Sequence, residues 1–148
     1  MPRKKIIAGN WKMNKSLPEA EALIKSILSG CSEENSVTKI FFPPSLFIEK
    51  AASLCNGKKN FFAGAQNCHQ LESGAYTGEI SAGAIASCGA KYVLVGHSER
   101  RIYFNESPEE LRTGVVVACI DEDDPYLPRC VFLRQGDGIL DCLALFYR

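Results

Sequence analysis

Two clusters of polar and titratable side chains sit where short apolar runs stop. The first is Gly96-His97-Ser98-Glu99-Arg100-Arg101, directly after Tyr92-Val93-Leu94-Val95. The second is Gly9-Asn10-Trp11-Lys12-Met13-Asn14, directly after Lys5-Ile6-Ile7-Ala8. A β-branched apolar run closed by glycine reads as a strand buried on both faces, the kind parallel sheets use. His97 then stands at the C-terminal end of its strand, where parallel α/β folds hold their active sites. Proton transfer and charge stabilisation are the chemistry such groups perform. Taken singly each has an ordinary reading: a histidine after a strand is commonly a loop or core residue, and Lys12 and Glu99 are ordinary surface charges.

The elements that must position these groups follow from periodicity. Lys5 to Trp11 reads as the first strand. Ser16-Leu17-Pro18-Glu19 has the spacing of a capping box, with proline in the first turn, where its missing N–H is not needed. Ala20, Leu23, Ile24, Ile27 and Leu28 then recur at i, i+3, i+4, i+7 and i+8, an apolar stripe on one helix that Gly30 stops. Val37 to Phe42 is the second strand, broken by Pro43-Pro44. Ser45 is expected to cap a helix carrying Ile48, Ala51, Ala52 and Cys55 on one face, ended by Gly57. Asn60 to Ala65 is the third strand, and it opens into a long turn-rich loop from Gln66 to Glu79. Ser81 caps a short helix of small residues, Ala82 to Ser87, closed by Gly89, and the strand before His97 is the fourth. Ser107-Pro108-Glu109-Glu110 is the capping box of a fourth helix.

Four βα units in succession predict a parallel sheet with right-handed crossovers, either an open doubly wound sheet or part of a (β/α)8 barrel. Periodicity does not choose between them. No G-x-G-x-x-G follows the first strand and no G-x-x-x-x-G-K-[ST] occurs, which disfavours a dinucleotide fold or a P-loop.

At 148 residues the chain has the length of one ordinary domain. Lysine plus arginine and aspartate plus glutamate balance at 17 each, so no overall field points to nucleic acid or an anionic membrane. The seven cysteines are scattered without a C-x-x-C pair, which argues against a zinc knuckle or a disulfide framework and for free thiols in a reducing, cytoplasmic setting. The apolar run Ile6-Ile7-Ala8 is too short for a signal peptide or a membrane span.

Beyond Leu111 the pattern changes. Arg112-Thr113-Gly114-Val115-Val116-Val117 places a glycine and three β-branched residues where a helix should continue. Asp121-Glu122-Asp123-Asp124 reads as a solvated turn, and Pro125 and Pro128 oppose regular structure beside it. Cys130 to Leu133 and Ile139 to Tyr147 are apolar and could pair as a hairpin or collapse irregularly. No chemical motif appears in this tail.

Ala8-Gly9-Asn10-Trp11-Lys12-Met13-Asn14, Gly64-Ala65-Gln66-Asn67, Gly74-Ala75-Tyr76-Thr77-Gly78-Glu79 and Gly96-His97-Ser98-Glu99-Arg100-Arg101 together closely resemble the triosephosphate isomerase family, in order, over about Lys5 to Leu111. The resemblance implies the (β/α)8 barrel, here as its first four βα units over residues 1–111, with residues 112–148 as a divergent tail of unknown fold. A whole barrel of this kind takes roughly 250 residues. The change near Arg112 is therefore expected to reflect a frameshift, an alternative exon or a misread gene boundary.

The family resemblance also implies an activity: interconversion of dihydroxyacetone phosphate and glyceraldehyde 3-phosphate in glycolysis and gluconeogenesis, with no organic cofactor and no metal. This enzyme is a standard worked case of tuned acid–base groups, so the roles follow from the resemblance and not from spacing. His97 would be the neutral imidazole that donates to the substrate carbonyl and shuttles a proton between the substrate oxygens. Lys12 would supply a fixed positive charge for the enediolate oxygen and the phosphate. Asn10 would be a neutral donor that orients the substrate. Glu99 would pair with Lys12, while Ser98 belongs to the motif without a chemical step. Thr77 would lie near the tip of a loop that inserts into a partner subunit beside the lysine, implying a homodimer. Arg100 and Arg101 read as structural or dimer-contact residues, with Glu106 a partner, and His69 is assigned no role. The general-base glutamate and the glycine-rich phosphate-gripping amides of the family have no counterpart in this sequence. The chain is therefore expected to be inactive alone or to act as a non-catalytic form that docks on a full-length subunit.

Overall fold

A computed structural model describes residues 6–31 and 37–107, and the backbone of 129–131. Among the described residues five strands form one parallel sheet: β1 (Ile6–Asn10), β2 (Thr38–Phe42), β3 (Phe61–Ala65), β4 (Tyr92–Leu94) and β5 (Arg129–Val131). They lie side by side in chain order, with Ile6 opposite Thr38, Lys39 opposite Phe61, Gly64 opposite Tyr92 and Tyr92 opposite Arg129. Sequential order without a reversal is the wall of a barrel; a doubly wound sheet would turn back on itself at a switch point. The structure thus decides the alternative that periodicity left open, and the fold is a curled parallel half-barrel with alternating helices.

The intervening helices are α1 (Leu17–Gly30), α2 (Ile48–Cys55), α3 (Ala82–Ser87) and α4 (Ser98–Tyr103). At the start of α1 the Glu19 carboxylate accepts from Ser16 N at 2.8 Å and from Ser16 Oγ at 2.7 Å, which closes the capping box. Hydrogen bonding from the Ser16 backbone holds the Glu19 carboxyl below its usual range. The α1 stripe buries Ala20 and Ile24 fully. Before α2 the structure differs from the sequence expectation: Ser45–Phe47 is a single 3-10 turn, and the α-helix begins only at Ile48. Pro44, at φ −48° and ψ 148°, takes the capping position, so Ser45 is the first residue of the turn and not the cap of the helix. In α3, Ser81 Oγ accepts from Ala84 N at 3.2 Å, the expected cap.

Alternation along the strands separates two cores. Phe41, Phe61 and Ala63 pack against Ile24, Ala51 and Cys55, and Ala65, Val93 and Val95 pack against Ile48 and Ile85; this is the helix side. Ile40, Phe42, Tyr92 and Leu94, with Ile6, Ala8 and Phe62 against them, form the opposite, concave side. There the Phe62 and Tyr92 rings meet edge to face at 5.5 Å. Gly64 lets the Phe42 ring lie against β3, because a Cβ on it would stand 2.4 Å from a Phe42 ring carbon and 2.9 Å from the Tyr92 carbonyl oxygen.

Cys31, Cys55, Cys68 and Cys88 are free thiols. The helix expected from Ser107-Pro108-Glu109-Glu110 lies outside the described residues. Arg129–Val131 runs parallel to β4 as β5, and the 139–147 segment that a hairpin would need also lies outside them. Among the described residues no helix is long and apolar enough to cross a membrane.

Candidate active site

The C-terminal ends of β1, β2, β3 and β4 meet in one network of hydrogen bonds. β1 ends at Asn10, and Trp11 N carries the ladder one step further by donating to Phe42 O at 3.1 Å. The chain then turns sharply at Lys12, whose φ of +52° lies in the left-handed region. For a lysine this costs about 1–2 kcal/mol, so neighbouring groups must impose it. They do so at both ends of the residue. Lys12 N donates to Asn10 Oδ1 at 2.9 Å, an Asx turn, and Lys12 O accepts from Gln66 Nε2 at 2.9 Å. Gln66, the first residue after β3, uses its other amide hydrogen on Phe42 O at 2.8 Å. Asn14 Nδ2 donates to Trp11 O at 2.9 Å and closes the turn.

With its backbone fixed this way, the Lys12 amine pairs with Glu99 Oε1. The two side chains are 52% and 40% exposed, so the pair is open to a ligand. An ion pair this solvated contributes at most about 1 kcal/mol to stability.

Gly96, at φ +71°, turns the chain out of β4, and His97 caps α4. His97 O accepts from Arg100 N at 2.9 Å and from Arg101 N at 3.2 Å, while His97 Nδ1 accepts from Glu99 N at 3.2 Å. A ring nitrogen that accepts carries no proton, so the imidazole N–H sits on Nε2. Glu99 Oε2 lies 3.7 Å from Nδ1, too far for a hydrogen bond and facing an unprotonated nitrogen. Only 16% of the His97 side chain is exposed. Glu99 thus orients His97 through its backbone and Lys12 through its carboxylate.

Arg100 pairs with Glu106 and lays its guanidinium 4.7 Å over the Phe104 ring, bracing the end of α4. Ser98 is the first residue of α4 and is half-buried. Thr77 lies in the fully exposed stretch 71–80. The base of that loop is pinned by His69, which the sequence left without a role. Its N–H donates to Ile80 O at 2.8 Å, its Nδ1 accepts from Leu71 N at 3.1 Å, and its ring lies 4.4 Å from that of Tyr76. Gly74 is required there, since a Cβ would stand 2.7 Å from the Tyr76 ring. Sequence reasoning also gave Gln66 no task. Its signal was its place in Gly64-Ala65-Gln66-Asn67, immediately after a buried strand. A groove of about 590 Å³ between α2 and α3 includes none of these groups. Among the described residues no set of three histidine, cysteine or acidic side chains could hold a metal ion.

An imidazole N–H, a fixed ammonium and a primary amide, held at neighbouring strand ends, can polarise a carbonyl and stabilise an enediolate-like oxyanion. A sequence model described as triosephosphate isomerase matches residues 5–124. The triosephosphate isomerase of Bacteroides fragilis is 46% identical over 117 residues, 78% of this chain and 46% of that protein. Those of Lactococcus lactis subsp. lactis and Streptococcus mutans are 42% and 44% identical over 111 residues, each covering 75% of this chain and 44% of the relative. The chain therefore spans about half the length of the curated relatives it matches.

Proposed function

This chain belongs to the triosephosphate isomerase family, and we propose that it carries the electrophilic half of that family's site, acting on dihydroxyacetone phosphate and glyceraldehyde 3-phosphate in glycolysis and gluconeogenesis. The observation that carries this reading is Glu99. Its N–H occupies His97 Nδ1, leaving Nε2–H as donor, while its carboxylate pairs with Lys12. His97 Nε2–H donates to the substrate carbonyl and passes a proton between the two oxygens. The Lys12 ammonium stabilises the enediolate and the phosphate. Asn10 has its Oδ1 engaged by Lys12 N, which leaves its Nδ2 as the end that donates to substrate. Ser98 takes no chemical step, and no cofactor is needed for a proton shift of this type.

The 148 residues alone turn over negligibly in this reading, because the proton-abstracting glutamate and the phosphate-gripping amides belong to the part of the relatives that the match does not reach. A positioned general base is commonly worth about 10²–10⁴-fold. Free thiols support a reducing, cytoplasmic setting.

The test is a coupled isomerase assay on the purified chain and on a chimera joining residues 5–124 to the remaining part of the Bacteroides fragilis relative. We expect negligible turnover from the chain, and turnover from the chimera that falls by at least about 10²-fold in His97→Gln. A folded chimera without activity would refute the electrophilic assignment. Clear turnover by the unmodified chain, lost in His97→Gln, would refute its inactivity.

A second reading is favoured by the shape of the 71–80 loop, exposed throughout yet pinned at its base by His69. It makes this chain a non-catalytic form that docks on a full-length subunit by inserting the Thr77 loop, the contact that would build a homodimer of intact chains. Size-exclusion mass with and without a full-length relative tests it, and absence of co-elution removes it.

A further inference from the structure

We infer that Gln66 is a positioning residue for the Lys12 ammonium, an inference that rests on the proposed role of Lys12. Lys12 holds φ +52°, a conformation that lysine rarely adopts and that no glycine or proline in the turn imposes. Its N–H is satisfied locally by Asn10 Oδ1, two residues back. That bond alone is compatible with several directions of the following peptide. What fixes the direction is the carbonyl, and the carbonyl is held by Gln66 from a different strand, 54 positions along the chain.

The Gln66 amide is placed to do this and little else. Both hydrogens of Nε2 are used on backbone carbonyls, Lys12 O at 2.9 Å and Phe42 O at 2.8 Å. Phe42 O also receives Trp11 N at 3.1 Å, so one buried strand end anchors both the residue before Lys12 and the clamp on Lys12 itself. Phe42 is fully buried and packed on the concave side, which makes it a rigid anchor. Gln66 thus transmits the geometry of β2 and β3 to the turn after β1. The amine is then delivered to Glu99 on the loop after β4. Without the clamp Lys12 relaxes to a negative φ, its side chain leaves Glu99, and the positive charge no longer faces the position that His97 Nε2 addresses.

The decisive experiment compares the 148-residue chain with Gln66→Met, which keeps the volume and removes both donors. Amide hydrogen exchange is read at Lys12, and affinity for glycerol 3-phosphate is read by NMR titration. We expect exchange at Lys12 to accelerate by about thirtyfold, the size expected from losing the two hydrogen bonds that brace the turn, while amides in the centre of β3 and α2 keep their protection. Uniform loss of protection across the chain, or no change at Lys12, would overturn the assignment, since either means that Gln66 does not act on that turn. The exchange result stands even if neither protein binds glycerol 3-phosphate, an outcome that would count against the proposed function alone. Should Gln66→Met fail to fold, the double variant with Lys12→Gly decides, because glycine takes φ +52° without steric cost. Recovery of the fold supports the clamp, and failure to recover it overturns the clamp.

Discussion

Replacing Gly64 by alanine tests the packing that sets the strand ends beneath the site. The added Cβ would stand 2.4 and 2.8 Å from two Phe42 ring carbons and 2.9 Å from the Tyr92 carbonyl oxygen. Ordinary contact begins near 3.4 Å, so the ring must give by about an ångström. Phe42 is fully buried, with Ile40, Tyr92 and Leu94 in the same cluster, and the Tyr92 oxygen is backbone that cannot swing aside. Overpacking a filled core commonly costs about 1–3 kcal/mol, and contact with both a ring and a carbonyl places Gly64→Ala near the upper end. For a chain of this length that is a fall in Tm of roughly 5–10 °C, measured by circular dichroism melting or by the urea midpoint. Gly30→Ala is the control, because a Cβ there meets nothing within 4 Å; its Tm should stay level or rise slightly. Shrinking the obstructing ring with Phe42→Leu should make the double variant less destabilised than the sum of the singles. A Gly64→Ala variant that melts within a degree of the parent, or a strictly additive pair, would refute the claim that Phe42 is locked against β3.

Two further expectations follow from titrating groups. Burial raises the Cys55 thiol from 9.0 to about 11, so below pH 9 its thiolate fraction is about a hundredfold lower than that of an unperturbed thiol. Iodoacetamide with mass-spectrometric mapping should label exposed Cys88 first, and equal rates would contradict the burial. Because the folded value is the higher one, the stability Cys55 contributes is full below pH 9 and is lost as pH rises towards 11. Glu19 has the opposite sign: its carboxyl is lowered by hydrogen bonding from Ser16, so its contribution is present above the unfolded value and is lost as pH falls through the folded one. The Tm gap between parent and Glu19→Gln should therefore be widest at neutral pH and close in acid; a gap that does not depend on pH would rule out the carboxylate cap.

Local elements were legible because local forces make them. The stripe of α1 appears in the sequence at helical spacing, and Ala20 and Ile24 are the residues it buries. The apolar strands read as buried for the same reason, since their β-branched and aromatic side chains alternate between two packed faces. At Pro43-Pro44-Ser45 the reading missed the 3-10 turn: Pro44 takes the capping position and Ser45 enters the turn, so the cap preference of serine goes unused. The site motif was readable as residue types, and the resemblance of those types to a known family supplied expected roles.

By itself, then, the sequence determined which residues meet the ends of strands, for that depends on periodicity and on the glycines and prolines that stop each run. Tertiary structure decided how the strands are ordered and what the polar groups do there. Strand order rests on which buried faces match across the sheet, a long-range property invisible in any window of sequence. The left-handed turn at Lys12 is of the same kind. Nothing in Trp11-Lys12-Met13 favours it, and bonds from Asn10 and from distant Gln66 hold it, the latter anchored on Phe42. The tautomer of His97 is likewise set by a backbone N–H of Glu99 that only the turn into α4 brings within reach.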